Sequence, residues 1–179
     1  MPRASAPAEK IWFAPFQRDR RELLPLFRLA DDSEQQIKSY LHAGEILFAA
    51  QGGHVLGYAQ IIVSDHPAEF ELKSIAVDPA HQRQGTGTGL VRAAIRYCRQ
   101  HDASRLTVST AIGASEAIAF YLRNGFRICG FERDAFTVER GYPVPTDGNV
   151  PLRDSVTFDL LLESVRPAPE LSRRLPRNR

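Results

Sequence analysis

Apolar and polar positions along the chain alternate in two rhythms, and these divide it into short strands and amphipathic helices. Residues 69–77 carry an apolar run in Phe70, Leu72, Ile75 and Val77, closed by Asp78-Pro79 because a proline has no amide for a ladder. After a glycine-rich turn, Leu90, Val91, Ala94, Ile95 and Cys98 recur at helical spacing. Arg92, Arg96, Arg99 and Gln100 fall on the opposite face, so an amphipathic helix is expected up to His101-Asp102. Upstream, residues 11–16 predict a first strand that Pro15 confines to an edge or cuts short. Leu23, Leu24, Leu26, Phe27 and Ala30 predict a helix that Pro25 kinks or delays. Ser33 predicts the cap of a second helix, with Gln36 completing a capping box and Gly44 ending the element. Residues 46–50 and 55–63, around Gly52-Gly53, read as a β-hairpin, and the strand at 69–77 follows it antiparallel.

Downstream, the β-branched stretch 105–110 predicts a strand that the intervening helix allows to lie parallel to 69–77. Ser115 is the expected N-cap of a helix whose stripe is Ala117, Ile118, Tyr121 and Leu122. Asn124-Gly125 stops that helix, and residues 126–130 form a short strand. Pro143, Pro145, Gly148 and Pro151 make residues 131–153 irregular, and residues 155–162 return as the last strand of the sheet. The organisation expected is a flexible leader at 1–9, one domain over 10–163, and a disordered basic tail at 164–179.

The turn Gln82-Arg83-Gln84-Gly85-Thr86-Gly87-Thr88-Gly89 carries the first chemistry. The opening amides of a helix have no internal partner, and the helix dipole favours negative charge there. Three alternating glycines exceed what a cap needs and let a phosphate approach the backbone. Arg83, inside the turn, could meet phosphate oxygens. No Gly-Lys-Ser/Thr follows, which argues against a P-loop, and the spacing and mid-chain position depart from the dinucleotide fingerprint.

The spacing Q-x-x-G-x-G on Gln82, Gly85 and Gly87, preceded by "SIAVDP" and followed by an amphipathic helix, resembles the GNAT superfamily of acyl-CoA-dependent N-acyltransferases. "AIAFYLRNGF", at 117–126, looks like that family's helix ending in Y-x-x-x-G-F. The resemblance covers residues 69–131. It implies a mixed α/β fold with a mostly antiparallel sheet of about six to seven strands and about four flanking helices. Within it, the strands at 69–77 and 105–110 would be a parallel pair splayed at their C-terminal ends. Acetyl-CoA would bind as co-substrate to the turn residues Gln82, Arg83, Gln84, Gly85, Thr86, Gly87 and Thr88. Its pantetheine arm would meet the main chain of Ile75, Ala76 and Val77, with Ser115 near the place where the family often has an asparagine. The two N-terminal helices and the 131–153 loop would shape the acceptor site.

Acetyl transfer to an amine requires that the amine lose a proton, that the carbonyl's developing oxyanion meet a donor, and that the leaving thiolate be protonated or hydrogen-bonded. The resemblance implies Glu71 as base, with Glu69 on the same strand face as substitute, and Asp65 and His66 as weaker candidates. It implies an amide at Ala76 or Val77 for the oxyanion and Tyr121 facing the sulfur. The expected reaction is direct transfer in a ternary complex; the alternative is a CoA-binding protein without turnover.

Composition narrows the partners. With 179 residues, 43% hydrophobic and 25% charged, the chain suits one ordinary globular domain. A net charge of +2 is too small to argue for nucleic acid, although the arginines of the tail keep that reading testable by salt. Cys98 and Cys129 have no metal-ligand spacing, and no metal is expected. No stretch is apolar enough for a membrane helix and no secretory signal opens the chain, so a cytoplasmic location is expected, with a homodimer compatible.

Overall fold

The computed structural model describes residues 9–143, 146–147, 150–151 and 153–162. The expected tail lies outside the described residues, as does all of the leader but Glu9. The elements are β1 (Trp12–Pro15), α1 (Leu24–Ala30), α2 (Glu34–Tyr40), β2 (Glu45–Gln51), β3 (His54–Val63), β4 (Glu69–Val77), α3 (Thr86–Gln100), β5 (Arg105–Ala111), α4 (Ser115–Arg123), β6 (Arg127–Glu132), the two-residue pair β7 (Thr146–Asp147) and β8 (Val150–Pro151), and β9 (Ser155–Leu161). Seven strands form one sheet in the order β1-β2-β3-β4-β5-β9-β6, with β4 and β5 its parallel pair. β1 does lie at an edge, where its proline removes no ladder bond the sheet requires. No helix among the described residues is long and apolar enough to cross a membrane.

The sheet separates two cores. On one face α3 and α4 pack through Leu90, Val91, Ala94, Cys98 and Tyr121 onto Leu72, Leu106, Val108 and Phe158. On the other, Phe27, Ile37 and Tyr40 of α1 and α2 cover Ile46 and Tyr58. Burial of a large apolar side chain contributes roughly 1.5–3 kcal/mol, so both helical layers are firmly attached.

Pro25 marks a later start of the first helix and does not kink it: a 3-10 turn over Arg20–Leu23, capped by Asp19, runs into α1, and Pro25 sits in the first turn of α1 where its missing amide costs nothing. Two local expectations are corrected. The capping box at α2 is half made. Ser33 Oγ accepts from the Gln36 amide at 3.2 Å, but the Gln36 side chain donates to the Arg140 carbonyl instead of reaching back. Ser33 Oγ also donates to the Gly141 carbonyl at 2.6 Å, so the start of α2 anchors the loop that follows β6. Ser115 is the first residue of α4 and not its cap; Ala114 takes the cap position and offers no side-chain oxygen.

β4 decides where the site lies. Ile61 pairs with Leu72 and Gln60 with Ser74, so Lys73 is an extra, bulged residue. The bulge reverses the side-chain parity: Phe70 and Leu72 before it, and Ile75 and Val77 after it, all face α3 and α4. Bulges also add twist. Pairing to β5 stops at Glu71↔Thr107, although β4 continues to Val77 and β5 to Ala111. Beyond Glu71 the two parallel strands splay, and the sheet has an opening at their C-terminal ends.

Candidate active site

The opening is bordered on the α3 side by the glycine turn. Arg83 (φ 58°) and Gly85 (φ 85°) are both left-handed, which turns successive amides inward to form a concave nest. Gly89 makes the first helical bond, to the Gly85 carbonyl at 2.9 Å. The amides of Gly85, Thr86, Gly87 and Thr88 make no bond to another described residue, so four donors converge at the positive end of a fifteen-residue helix.

The three glycines have different reasons to be there. A side chain at Gly85 would meet nothing, and only its left-handed backbone requires glycine. A Cβ on Gly87 would lie 3.2 Å from the Phe120 ring of α4, so this glycine brings the turn against that helix. A Cβ on Gly89 would overlap the Phe13 ring of β1. The expectation that Gly89 serves a phosphate is thus corrected: it serves packing. Gly89→Ala is expected to cost about 1–3 kcal/mol of stability, the usual penalty for overpacking, read as a lower melting temperature with ligand response retained.

The other turn residues divide in the same way. Gln82 Nε2 donates to the Val77 carbonyl at 3.0 Å and ties the turn to the end of β4. Thr86 is buried, its hydroxyl directed at the His81 carbonyl, so only its amide faces outward. Gln84 is exposed, as is Arg83, which reaches across to Glu116 of α4 at 2.9 Å. Ser115 is exposed at the start of that helix.

The ladder also settles which β4 groups face the opening. The Asp78 amide donates to the Leu56 carbonyl of β3, and the register places Tyr58 opposite Ala76. By the alternation of an antiparallel pair, the main-chain groups of Ala76 turn toward β3, and the amides of Ile75 and Val77 toward the opening. Ala76 is therefore not available to a ligand in the opening, which corrects that expectation.

Tyr121 lies on α4, packed against Phe126 and Phe158 with ring centroids 5.9 and 5.7 Å away. It is 6% exposed. Burial alone pushes its hydroxyl well above the ordinary phenol value, so it stays protonated throughout the physiological range. Tyr58, on the opposite face, is also pushed up by burial, with Asp31 and Tyr121 adding to the shift and its 2.5 Å bond to Ser74 Oγ opposing it.

Glu71 points to the α1–α2 face. It lines two adjoining chambers, of about 470 and 320 Å³, together with Lys73, Ser109, Phe136 and Tyr142. Their walls come from α2, the α1–α2 junction, Glu71 and Lys73 within β4, the end of β5, and the loop after β6. The N-terminal helices and that loop thus border one cleft. Glu71 Oε1 is 3.4 Å from Lys73 Nζ, with both side chains about a third exposed, a weak pair that a competing ammonium can displace. Glu69 is not a free substitute, since it is held by Arg105 at 3.0 Å and is 19% exposed. Lys73 was missed as a site residue; the parity break between Leu72 and Ile75 was the signal in the sequence. Cys98 is buried, its thiol pushed up to about 12 by desolvation, and Cys129 occupies the bulge in β6; neither lines the chambers.

Known proteins share this fold. The profile of the acetyltransferase (GNAT) family matches residues 9–126. The N-acetyltransferase YvbK of Bacillus subtilis is 30% identical over 115 residues, which span 64% of this chain and 74% of that protein. A Bacillus subtilis acetyltransferase crystallised with CoA superposes with a TM-score of 0.77 at 27% identity, covering 86% of this chain and 99% of the other. A GNAT acetyltransferase of Elizabethkingia anophelis with acetyl-CoA bound also gives 0.77, at 25% identity, covering 85% and 98%. An amide nest at a helix start, a sheet splayed beside it and a family profile over about two thirds of the sequence agree: this chain belongs to the GNAT family of acetyltransferases.

Proposed function

We propose that the chain moves an acetyl group from acetyl-CoA to a primary amine by direct attack within a ternary complex. The observation that carries this reading is the opening between β4 and β5. It joins an amide-lined turn on one face to a carboxylate-bearing cleft on the other. The relatives crystallised with CoA and with acetyl-CoA support the choice of donor.

In this reading the phosphates lie on the amides of Gly85–Thr88, with Arg83 and Gln84 at the rim and Gln82 holding the turn. The pantetheine passes Ser115 and pairs with the main chain at Val77, the end of β4 tied to the turn. The thioester carbonyl, farther from the phosphates, accepts from the other β4 amide facing the opening, that of Ile75. On the other face, Glu71 takes a proton from the acceptor's ammonium, directly or through water. The amine nitrogen then attacks the carbonyl carbon and a C–N bond forms. As the C–S bond breaks, Tyr121 either hydrogen-bonds the leaving thiolate, with the nitrogen's second proton passing to solvent, or protonates it and regains a proton from the nitrogen. No cysteine lies where it could carry the acyl group, which favours direct transfer over a covalent intermediate.

Acetyl-CoA at a hundred times its Kd is expected to add about 2.7 kcal/mol of stability. For a chain of this size that corresponds to a rise in melting temperature of roughly 5–10 °C. NAD and ATP at equal concentration should do much less. Equal shifts from all three would reduce the turn to a generic anion site. Release of free CoA thiol only when an amine is added separates transfer from mere CoA binding.

A further inference from the structure

The cleft's charge names the class of acceptor. The chain as a whole is slightly basic, at +2. Yet the 320 Å³ chamber is lined by three carboxylates, Asp31, Asp32 and Glu71, and by Lys73 as its one cation among the described residues. The adjoining chamber adds Glu132 and Glu139 against Arg140, which is already paired with Glu132 at 2.6 Å. Asp31 is fixed in place: its Oδ1 accepts from the Ser33 amide at 2.8 Å and its Oδ2 from the Tyr40 hydroxyl at 3.0 Å. No cation pairs with it among the described residues.

The walls suit organic ammonium as well. Phe136 and Tyr142 line both chambers and meet edge to face, with centroids 5.0 Å apart. The cleft already holds one ammonium of its own. Lys73 Nζ lies 5.4 Å from the centre of the Tyr40 ring and beside Glu71. Aromatic faces combined with carboxylates are how proteins bind alkylammonium groups. Burial, and after it the charge of Asp31, pushes the Tyr40 hydroxyl well above its ordinary value.

We propose that this cleft takes a small acceptor carrying two ammonium groups, the reacting one at Glu71 and the remote one at Asp31, in the chamber that Phe136 and Tyr142 also line. This rests on the transferase reading above. Lys73 is then the internal cation that the reacting ammonium displaces from Glu71.

The test compares three amines of equal length, cadaverine, pentylamine and aminovalerate, by initial rates of thiol release from acetyl-CoA. One charge-assisted contact should favour cadaverine over pentylamine roughly tenfold to a hundredfold in kcat/KM, with aminovalerate the poorest. Asp31→Asn should bring the cadaverine-to-pentylamine ratio toward one, with the acetyl-CoA thermal shift reporting that the variant is folded. Pentylamine used as well as cadaverine, or a ratio unchanged in Asp31→Asn, overturns the proposal. Faster turnover of a lysine-rich peptide than of any diamine overturns the small size. If acetyl-CoA binds but no amine releases thiol, the transferase reading fails. The cleft's preference is then read as the melting shift that cadaverine and pentylamine give the CoA-loaded protein, where equal shifts overturn it too.

Discussion

Tyr121→Phe is expected to lower kcat by roughly 10²–10⁴, the usual range of acid–base contributions, while acetyl-CoA affinity barely changes. The substitution removes one oxygen and keeps the ring, which packs against Phe126 and Phe158. The packing should survive, so the melting temperature without ligand should stay close to that of the parent. The loss should fall on kcat because a hydroxyl facing the sulfur matters most when negative charge develops there. The structure adds a constraint. Burial holds the hydroxyl protonated far above neutrality, so it can donate to a thiolate at any physiological pH. The fractional loss in Tyr121→Phe should then be flat between pH 6 and about 9, since the missing group does not titrate there. Single-turnover rates should be measured, because product release can mask chemistry in the steady state. An unchanged single-turnover rate would leave Tyr121 as a packing residue and nothing more.

Much of the scaffold could be read from periodicity, and the failures share a cause. The hairpin around Gly52-Gly53, the helix after the glycine turn and the stop at Asn124-Gly125 are local signals, and each appears where local chemistry puts it. What was not legible depends on partners distant in sequence. Gly89 looks like its two neighbours until Phe13 is seen beneath it. Gln36 looks like half of a capping box until the Arg140 carbonyl is found competing for its side chain. Glu69 and Glu71 share a face, and only the position of Arg105 on the adjacent strand shows that one is tied and the other is open to a cleft. The placement of β9 between β5 and β6 likewise reflects a long return of the chain rather than any local pattern. The bulge was visible in principle. Apolar residues on even numbers change to odd numbers between Leu72 and Ile75, and one inserted residue is the economical cause.

Glu71→Gln should show a different signature from the tyrosine variant. An alkylamine has a pKa near ~10, so at pH 7 only about one molecule in a thousand is free base. The carboxylates around it in this cleft favour the charged form further. A group that removes the proton at contact distance therefore contributes most at neutral pH. Loss of Glu71 should lower kcat/KM by roughly 10²–10³ at pH 7, within the range of a general base. The sign follows from the acceptor. As pH rises toward the amine's own pKa, the free-base fraction grows about tenfold per unit, and the variant should recover along that slope while the parent changes little. The introduced amide keeps the side-chain length and an oxygen acceptor, so the fold and the acetyl-CoA thermal shift should be preserved. The substitution also releases Lys73 from its 3.4 Å pair, and Lys73→Met in the Glu71→Gln background controls for that freed ammonium. Recovery with pH in both backgrounds would assign proton removal to Glu71. A loss that stays constant from pH 7 to about 10 would mean that Glu71 positions the acceptor and that the proton leaves by another route.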